Sequence, residues 1–138
     1  MTFKISTPVQ TIDISMDDGA IIRLRRHSEG KQRLLLSHGN GFAIDAYYPF
    51  WRLFLDSFEV VVFDVRNHGQ NPRHDFASHD INRFVLDFET IHTRIPEAFG
   101  AKPTVAIFHS ISAITGLLQN LEYGQRWDAL LAVDPPVI

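Results

Sequence analysis

The sequence predicts an α/β fold in which an N-terminal hairpin leads into a mostly parallel sheet with helices on both faces. Three observations support it: an alternating apolar segment that turns back on itself, four short continuous apolar runs, and helical patterns between those runs. Continuous apolar runs are typical of parallel strands, because helices cover such strands on both faces. Strands that alternate with helices along the chain favour an open α/β sheet.

The N-terminal hairpin is predicted from two segments of alternating polarity. Apolar residues at positions 12, 14 and 16 alternate with polar ones, which is the period of a half-buried strand. Asp18-Gly19 follows, a dipeptide that favours a tight hairpin turn. Ile22 and Leu24 then mark the returning strand.

Four further strands and two helices are predicted from the spacing of apolar residues. The strands are the runs 34–36, 60–63, 105–108 and 130–133. One helical face is shared by Tyr47, Phe50, Trp51, Phe54 and Leu55, and a second by Ile81, Phe84, Val85, Phe88, Ile91 and Ile95. Ser78 is the expected N-cap of the second helix, and Pro96 is its expected end.

Composition and charge argue against several classes of partner. The 138 residues fit one domain, and 45% hydrophobic residues are enough to form a core. A net charge of −3 without a basic patch argues against nucleic acid and anionic membranes as partners. The absence of cysteine excludes disulfides and thiolate chemistry. We expect a cytoplasmic protein, since no apolar run has the length of a signal peptide or a membrane span.

The first loop that follows a predicted buried strand is His38-Gly39-Asn40-Gly41-Phe42. Loops at the carboxyl ends of strands are where open α/β sheets bind their ligands. The glycines allow a sharp turn and a close approach of the backbone, so the N–H groups could face an oxyanion. Taken alone, the loop is better explained as an ordinary glycine turn between a strand and a helix.

The second such loop runs from Asp64 to Pro72 and contains Arg66 and His68. Charged groups that are buried need partners. We therefore expect Asp64 and Arg66 to bond loop backbone and neighbouring strands rather than to carry out chemistry.

Ser110 lies in the third loop, between the apolar run 105–108 and a stretch with a helical pattern. A serine at a strand-to-helix turn holds its Oγ above the sheet and beside a helix N-terminus. Nucleophiles of acyl transfer are held in this way, with the next backbone N–H available to an oxyanion. The alternative is that Ser110 is only the N-cap of the following helix.

In this order, the three loops resemble those of the α/β-hydrolase superfamily. His38-Gly39-Asn40-Gly41 is similar to its oxyanion loop, and Asp64-Val65-Arg66-Asn67-His68-Gly69 is similar to its Asp-x-Arg-Gly-His-Gly loop. Phe108-His109-Ser110-Ile111-Ser112 is similar to its Gly-x-Ser-x-Gly elbow. The resemblance extends from the hairpin to the sixth strand. Phe108 and Ser112 replace the two elbow glycines, and Asn67 replaces a glycine of the second loop.

The resemblance implies a serine hydrolase of ester- or amide-like carbonyl substrates, without a cofactor. Ser110 would be the nucleophile, and the N–H of Ile111 would hold the oxyanion together with an N–H from Asn40 or Gly41. An acyltransferase or a thioesterase would use the same serine, so both stay open. Dehalogenases and epoxide hydrolases need an aspartate nucleophile in place of Ser110.

The other functional positions of the family are only partly represented. His38 and His68 would orient loops, and Asp134 stands where a minority of members place the catalytic acid. The family's catalytic histidine follows the last strand, whereas all seven histidines here precede Ser110. We therefore expect residues 1–138 to form an incomplete α/β-hydrolase domain with little or no activity, truncated from a parent about twice as long.

Two further readings compete with the serine hydrolase. Without the family's later strands, the strand 130–133 would have an unprotected edge, so the alternative function is self-association or a non-catalytic pairing module. A metal site is disfavoured, because the cluster of His68, His74, Asp75, His79 and Asp80 matches no closed ligand spacing.

Overall fold

The computed structural model describes residues 3–136 of the chain, and it contains six strands and three helices. The strands are β1 (Gln10–Ser15), β2 (Ile21–Arg26), β3 (Arg33–Ser37), β4 (Glu59–Phe63), β5 (Thr104–His109) and β6 (Ala129–Val133). The helices are α1 (Tyr48–Trp51), α2 (Ile81–Phe99) and α3 (Ile111–Tyr123). Two 3₁₀ turns, Ile44–Tyr47 and Arg52–Phe54, flank α1.

The strands form one sheet in the order β1-β2-β4-β3-β5-β6. β1 pairs with β2 as the predicted hairpin, with Ile14 opposite Ile22, and β2 is antiparallel to β4. The strands β3, β4, β5 and β6 are parallel to one another. Their carboxyl ends therefore lie side by side at one end of the sheet, which brings the three polar loops together. The predicted α/β fold class is confirmed.

The sheet has an apolar layer on each face, because successive side chains of a strand point to opposite sides. Leu35, Val61 and Phe108 belong to the larger cluster, which α2 and α3 cover. Leu34 belongs to the smaller cluster, where Trp51 of α1 is buried. Burial of each such side chain contributes about 1.5–3 kcal/mol to folding.

The first predicted helix is broken into short pieces. Pro49 lies in the first turn of α1, where its missing N–H has no intrahelical role. A continuous helix from residue 44 would place the same proline in its interior, so the preceding residues form a 3₁₀ turn instead. Trp51 faces the core as predicted, whereas Phe50 is exposed.

The boundaries of α2 differ from the prediction at both ends. The N-cap is Asp80 rather than Ser78, because the Asp80 carboxylate accepts a hydrogen bond of 2.9 Å from the Arg83 N–H. Pro96 lies inside the helix rather than at its end, and the helix continues to Phe99. Pro96 removes one hydrogen bond of the helix without ending it, and Gly100, at a φ of 89°, follows the last residue.

The strand β6 lies at the edge of the sheet and pairs only with β5 among the described residues. Its side chains alternate, so Leu130 and Ala132 pack against the larger cluster while Leu131 and Val133 are exposed. Within residues 3–136, no helix is long and apolar enough to cross a membrane.

Candidate active site

Ser110 occupies a strained turn between β5 and α3. Its φ of 55° and ψ of −113° are rare for a residue with a side chain. The Ser110 N–H donates to the Val133 carbonyl at 2.9 Å, and the Ser110 carbonyl accepts from the Ile114 N–H at 3.0 Å. The hydroxyl makes no capping bond to α3 and has no hydrogen-bond partner among the described residues. Ser110 is half-buried, and its unbonded hydroxyl is available to a ligand.

The two residues that replace the elbow glycines are both accommodated. Phe108 is fully buried, and its ring lies against Gly116 of α3. A Cβ at position 116 would approach Phe108 Cδ2 to 2.9 Å, so the glycine on the helix leaves room for the ring on the strand. The Ser112 hydroxyl accepts from the His109 N–H and donates to the His109 carbonyl, each at 2.9 Å.

Gly39, in the loop after β3, lies directly against the elbow. A Cβ at this position would be 3.2 Å from both Ser110 Cβ and His109 Nδ1, so a side chain would crowd the serine. The Gly39 N–H donates to the Tyr47 hydroxyl at 3.0 Å. That hydroxyl is also hydrogen-bonded to His109 Nδ1, at 2.6 Å. Tyr47 therefore connects the loop to the elbow, a role that sequence reasoning missed.

The same loop is also bound to the loop after β4. The Gly41 N–H donates to His68 Nε2 at 3.0 Å, and His68 Nδ1–H donates to the Arg66 carbonyl at 2.8 Å. The N–H groups of Asn40 and Ile111, by contrast, have no acceptor in the described part of the chain. Of the two predicted loop donors, Asn40 is thus the one left free.

His38 and Asp64 are buried between these loops. His38 Nδ1–H donates to the Gly39 carbonyl at 2.7 Å, and Nε2 accepts from the Val65 N–H at 3.0 Å. Burial lowers the pKa of His38, in agreement with a neutral ring that uses both nitrogens. The Asp64 carboxylate accepts from the Ile44 N–H at 2.8 Å. Neither side chain hydrogen-bonds to Ser110.

Arg66 lies at the centre of a buried ionic network. Its guanidinium donates to Asp87 of α2 at 2.6 and 2.9 Å and to Asp18 of the hairpin turn at 2.7 and 3.1 Å. These hydrogen bonds lower the pKa of Asp18. Arg66 therefore connects the hairpin, the loop after β4 and α2.

A general base and an acid are not assembled around Ser110 within residues 3–136. No histidine contacts its hydroxyl, and the adjacent His109 is bonded to Tyr47 instead. Asp134, at a φ of 48°, is exposed after β6 and forms no ion pair there. Of the residues weighed as metal ligands, His79 stacks on His68 and contacts Asn67, and no group of three histidine or acidic side chains in the described range could hold a metal ion.

An apolar cavity of about 250 Å³ opens beside the elbow, on the face of the sheet that carries α1. Its walls include Leu36, Tyr47, Ile107 and Val133. Because Tyr47 and Val133 both contact the elbow, the cavity is adjacent to Ser110.

A family comparison covers most of the chain. The model of the family described as "Serine aminopeptidase, S33" matches residues 28–137. No curated protein matches the sequence significantly.

Solved structures with a similar fold include an esterase of Pyrococcus furiosus, at a TM-score of 0.77 and 17% identity over 93% of this chain and 51% of that one. An N-formylmaleamic acid deformylase of Pseudomonas putida has a TM-score of 0.77 and 20% identity over 93% and 48%. An α/β-hydrolase fold protein of Burkholderia ambifaria has a TM-score of 0.78 and 18% identity over 98% and 47%. The chain thus spans about half the length of these structures.

Proposed function

Because this chain belongs to the serine aminopeptidase S33 family of the α/β-hydrolase superfamily, we propose that it acts on ester- or amide-like carbonyl compounds with Ser110 as nucleophile. The observation that carries the proposal is the backbone of Ser110, which is strained at positive φ while its hydroxyl is left unbonded in the described structure. Strain of this kind persists where the surrounding structure imposes it, and it is concentrated at functional sites.

The geometry supports one assignment of roles in the acylation step. Ser110 Oγ attacks the carbonyl carbon, the C–O bond forms, and the carbonyl oxygen becomes an oxyanion. The free N–H groups of Ile111 and Asn40 would stabilise that oxyanion, each by about 3–4 kcal/mol. The acyl portion would fit the apolar cavity beside Tyr47. The Ser110 proton passes to solvent or to an added base, the leaving group takes up a proton from the same source and departs as the carbonyl re-forms, and the acyl-enzyme remains on Ser110.

The proton of the Ser110 hydroxyl has no acceptor in the described chain. An isolated serine hydroxyl is a poor nucleophile at neutral pH. We therefore expect this chain alone to react slowly. Asp134 is the proposed catalytic acid, but the described residues place no histidine at the Ser110 hydroxyl for it to orient.

The test is base rescue of Ser110. The chain is treated with a fluorophosphonate probe in the presence of increasing imidazole, and adducts are located by peptide mass spectrometry. Imidazole can accept the serine proton, so the labelling rate of Ser110 is expected to rise with imidazole concentration. Ser110→Ala should remove the label, whereas Ser57→Ala, at an exposed serine outside the site, should leave it unchanged.

Two results would contradict different parts of the proposal, the first the identity of the nucleophile and the second the expected slow reaction. Absence of label at Ser110 at every imidazole concentration would exclude Ser110 as a nucleophile. Rapid turnover of an activated ester without imidazole, abolished by Ser110→Ala, would instead show that the chain supplies its own base.

The exposed edge of β6 favours a second candidate function, a pairing module. Leu131 and Val133 are exposed beside strand hydrogen-bonding groups that no described strand uses. If β6 pairs with a second copy, light scattering should show dimers, and Leu131→Lys should reduce them. Leu121→Lys, at an exposed leucine of α3, should not. Monomers at all concentrations would exclude self-pairing.

A further inference from the structure

A second cavity, of about 520 Å³, is bordered by the loop after β3 and by the loop after β4. Its walls come from Asn40 to Ala43, from Asn67 to Gly69 and from the segment that leads into α2, including Arg73. The cavity therefore shares Asn40 with the proposed oxyanion site. No step of the acylation described above uses it.

The side chains that line this cavity carry positive charge and no negative charge. Arg73 is one of them, and none of the lining residues is an aspartate or a glutamate. Eight of the ten arginines form ion pairs with carboxylates, and Arg52 stacks on Phe3. Arg73 has neither a hydrogen bond nor an ion pair with any residue of 3–136. Its guanidinium is therefore available to an anion.

His79 supplies a second donor to the cavity. The Asn67 side-chain oxygen accepts from the His74 N–H at 2.7 Å, which fixes the amide so that its NH₂ donates to His79 Nδ1 at 3.2 Å. The proton of the neutral ring must then be on Nε2, which has no acceptor in the described chain. Burial lowers the pKa of His79, so the ring is a neutral donor at pH 7.

Apolar surface accompanies these donors. Phe42 and Phe76 both line the cavity, and their side chains are 57% and 58% exposed. An unpaired cation, a neutral N–H donor and two exposed aromatic rings match a ligand that is anionic at one end and apolar at the other.

We propose that this cavity binds a small organic carboxylate, with the carboxylate on Arg73 and His79 and the apolar part against Phe42 and Phe76. In the reaction, it would hold a carboxylate on the leaving-group side of a substrate whose carbonyl reaches Asn40 and Ser110, while the acyl portion occupies the cavity beside Tyr47. This last link rests on the proposed function, whereas binding of the carboxylate itself does not.

The test is a titration of the isotope-labelled chain with benzoate and with its neutral analogue benzamide, followed by NMR. Benzoate is expected to cause saturable shifts of the Gly41 and Gly69 amides and of the Arg73 Nε–H, and to bind about tenfold more tightly than benzamide. Arg73→Gln should abolish that preference, and Arg73→Lys should retain part of it. Arg94→Gln, at an exposed arginine of α2, should leave it unchanged.

Three outcomes would overturn the inference: equal affinity for benzoate and benzamide, an Arg73→Gln variant that binds benzoate as well as the parent chain, or inorganic phosphate that binds as tightly as benzoate. Benzoate carries no leaving group and does not acylate serine. Failure of this titration is therefore distinct from failure of the fluorophosphonate experiment, which does not need the cavity.

Discussion

At the scale of single residues, the elbow depends on a large residue on β5 being packed against a small residue on α3. The family's elbow has glycine where this chain has Phe108, and here the small residue is Gly116 on α3. The resemblance predicted the strand-to-helix turn at Ser110. The compensating glycine was not predictable from it, because the pairing of positions 108 and 116 depends on how α3 packs against β5.

Substitution of Gly116 tests this packing. Gly116→Ala gains about 1 kcal/mol of helix propensity, but overpacking against the fixed ring of Phe108 costs about 1–3 kcal/mol. We expect a net loss in the free energy of unfolding, measured by urea denaturation. In a Phe108→Leu background the same substitution should become stabilising. Equal effects in both backgrounds would show that Phe108 does not limit position 116.

His27 gives the fold a pH dependence. The ring is buried against Trp51, its Nε2 has no partner in the described chain, and desolvation lowers its pKa to about 4. The folded state thus favours the neutral ring, so its contribution to stability is complete above pH 6.5 and is lost as the pH falls towards 4. We expect the loss to be about 2 kcal/mol, allowing for partial screening.

The measurement is urea unfolding at pH 7 and pH 4.5 for the parent chain and for His27→Gln. The variant should lose less stability between the two pH values than the parent does. Identical pH dependence would assign the effect to other groups, such as the buried His38.

At the scale of elements, Arg66 determines how the hairpin, the loop after β4 and α2 are held together. Arg66→Ala leaves Asp87 buried without its main partner, so we expect a loss of about 3–5 kcal/mol in the free energy of unfolding. Arg66→Met with Asp87→Leu should lose less, because neither charge of this pair is then left buried without its partner. Arg94→Ala, at the exposed pair with Glu97, should change stability by less than about 1 kcal/mol. A mild Arg66→Ala phenotype would contradict the network's role.

The elements themselves differ in how well the sequence predicts them. The buried strands β3 and β4 each contain a continuous apolar run, and the sequence predicts both strands from these runs. Helix ends are harder, because Ser78 and Asp80 are both good caps and the backbone at Asp80 decides between them. The contact between Tyr47 and His109 joins positions 62 residues apart, and no local pattern indicates it.

At the scale of the whole molecule, stability should decrease from the centre of the sheet to its β6 edge. Every residue of β3 and β4 is buried, whereas no residue of β6 is fully buried. Amides that bond β3 to β4 should therefore exchange with solvent only on global unfolding, and those of β6 by local opening. Hydrogen exchange with mass spectrometry measures both. Equal protection in dilute solution would refute this gradient, and protection of β6 that grows with concentration would support pairing.

The loop after β3 presents three consecutive amides, and two of them are already occupied. Tyr47 accepts from Gly39, and His68 accepts from Gly41. Among these three amides, only that of Asn40 has no acceptor in residues 3–136, so an oxygen atom that approaches the loop meets one vacant donor instead of three competing ones. The protein, rather than the ligand, would thus determine which amide of the loop binds a negatively charged oxygen. Asn40 also lines the cavity of about 520 Å³ that contains Arg73. A group bound in that cavity would therefore be held at a fixed position relative to the charged oxygen on the Asn40 amide.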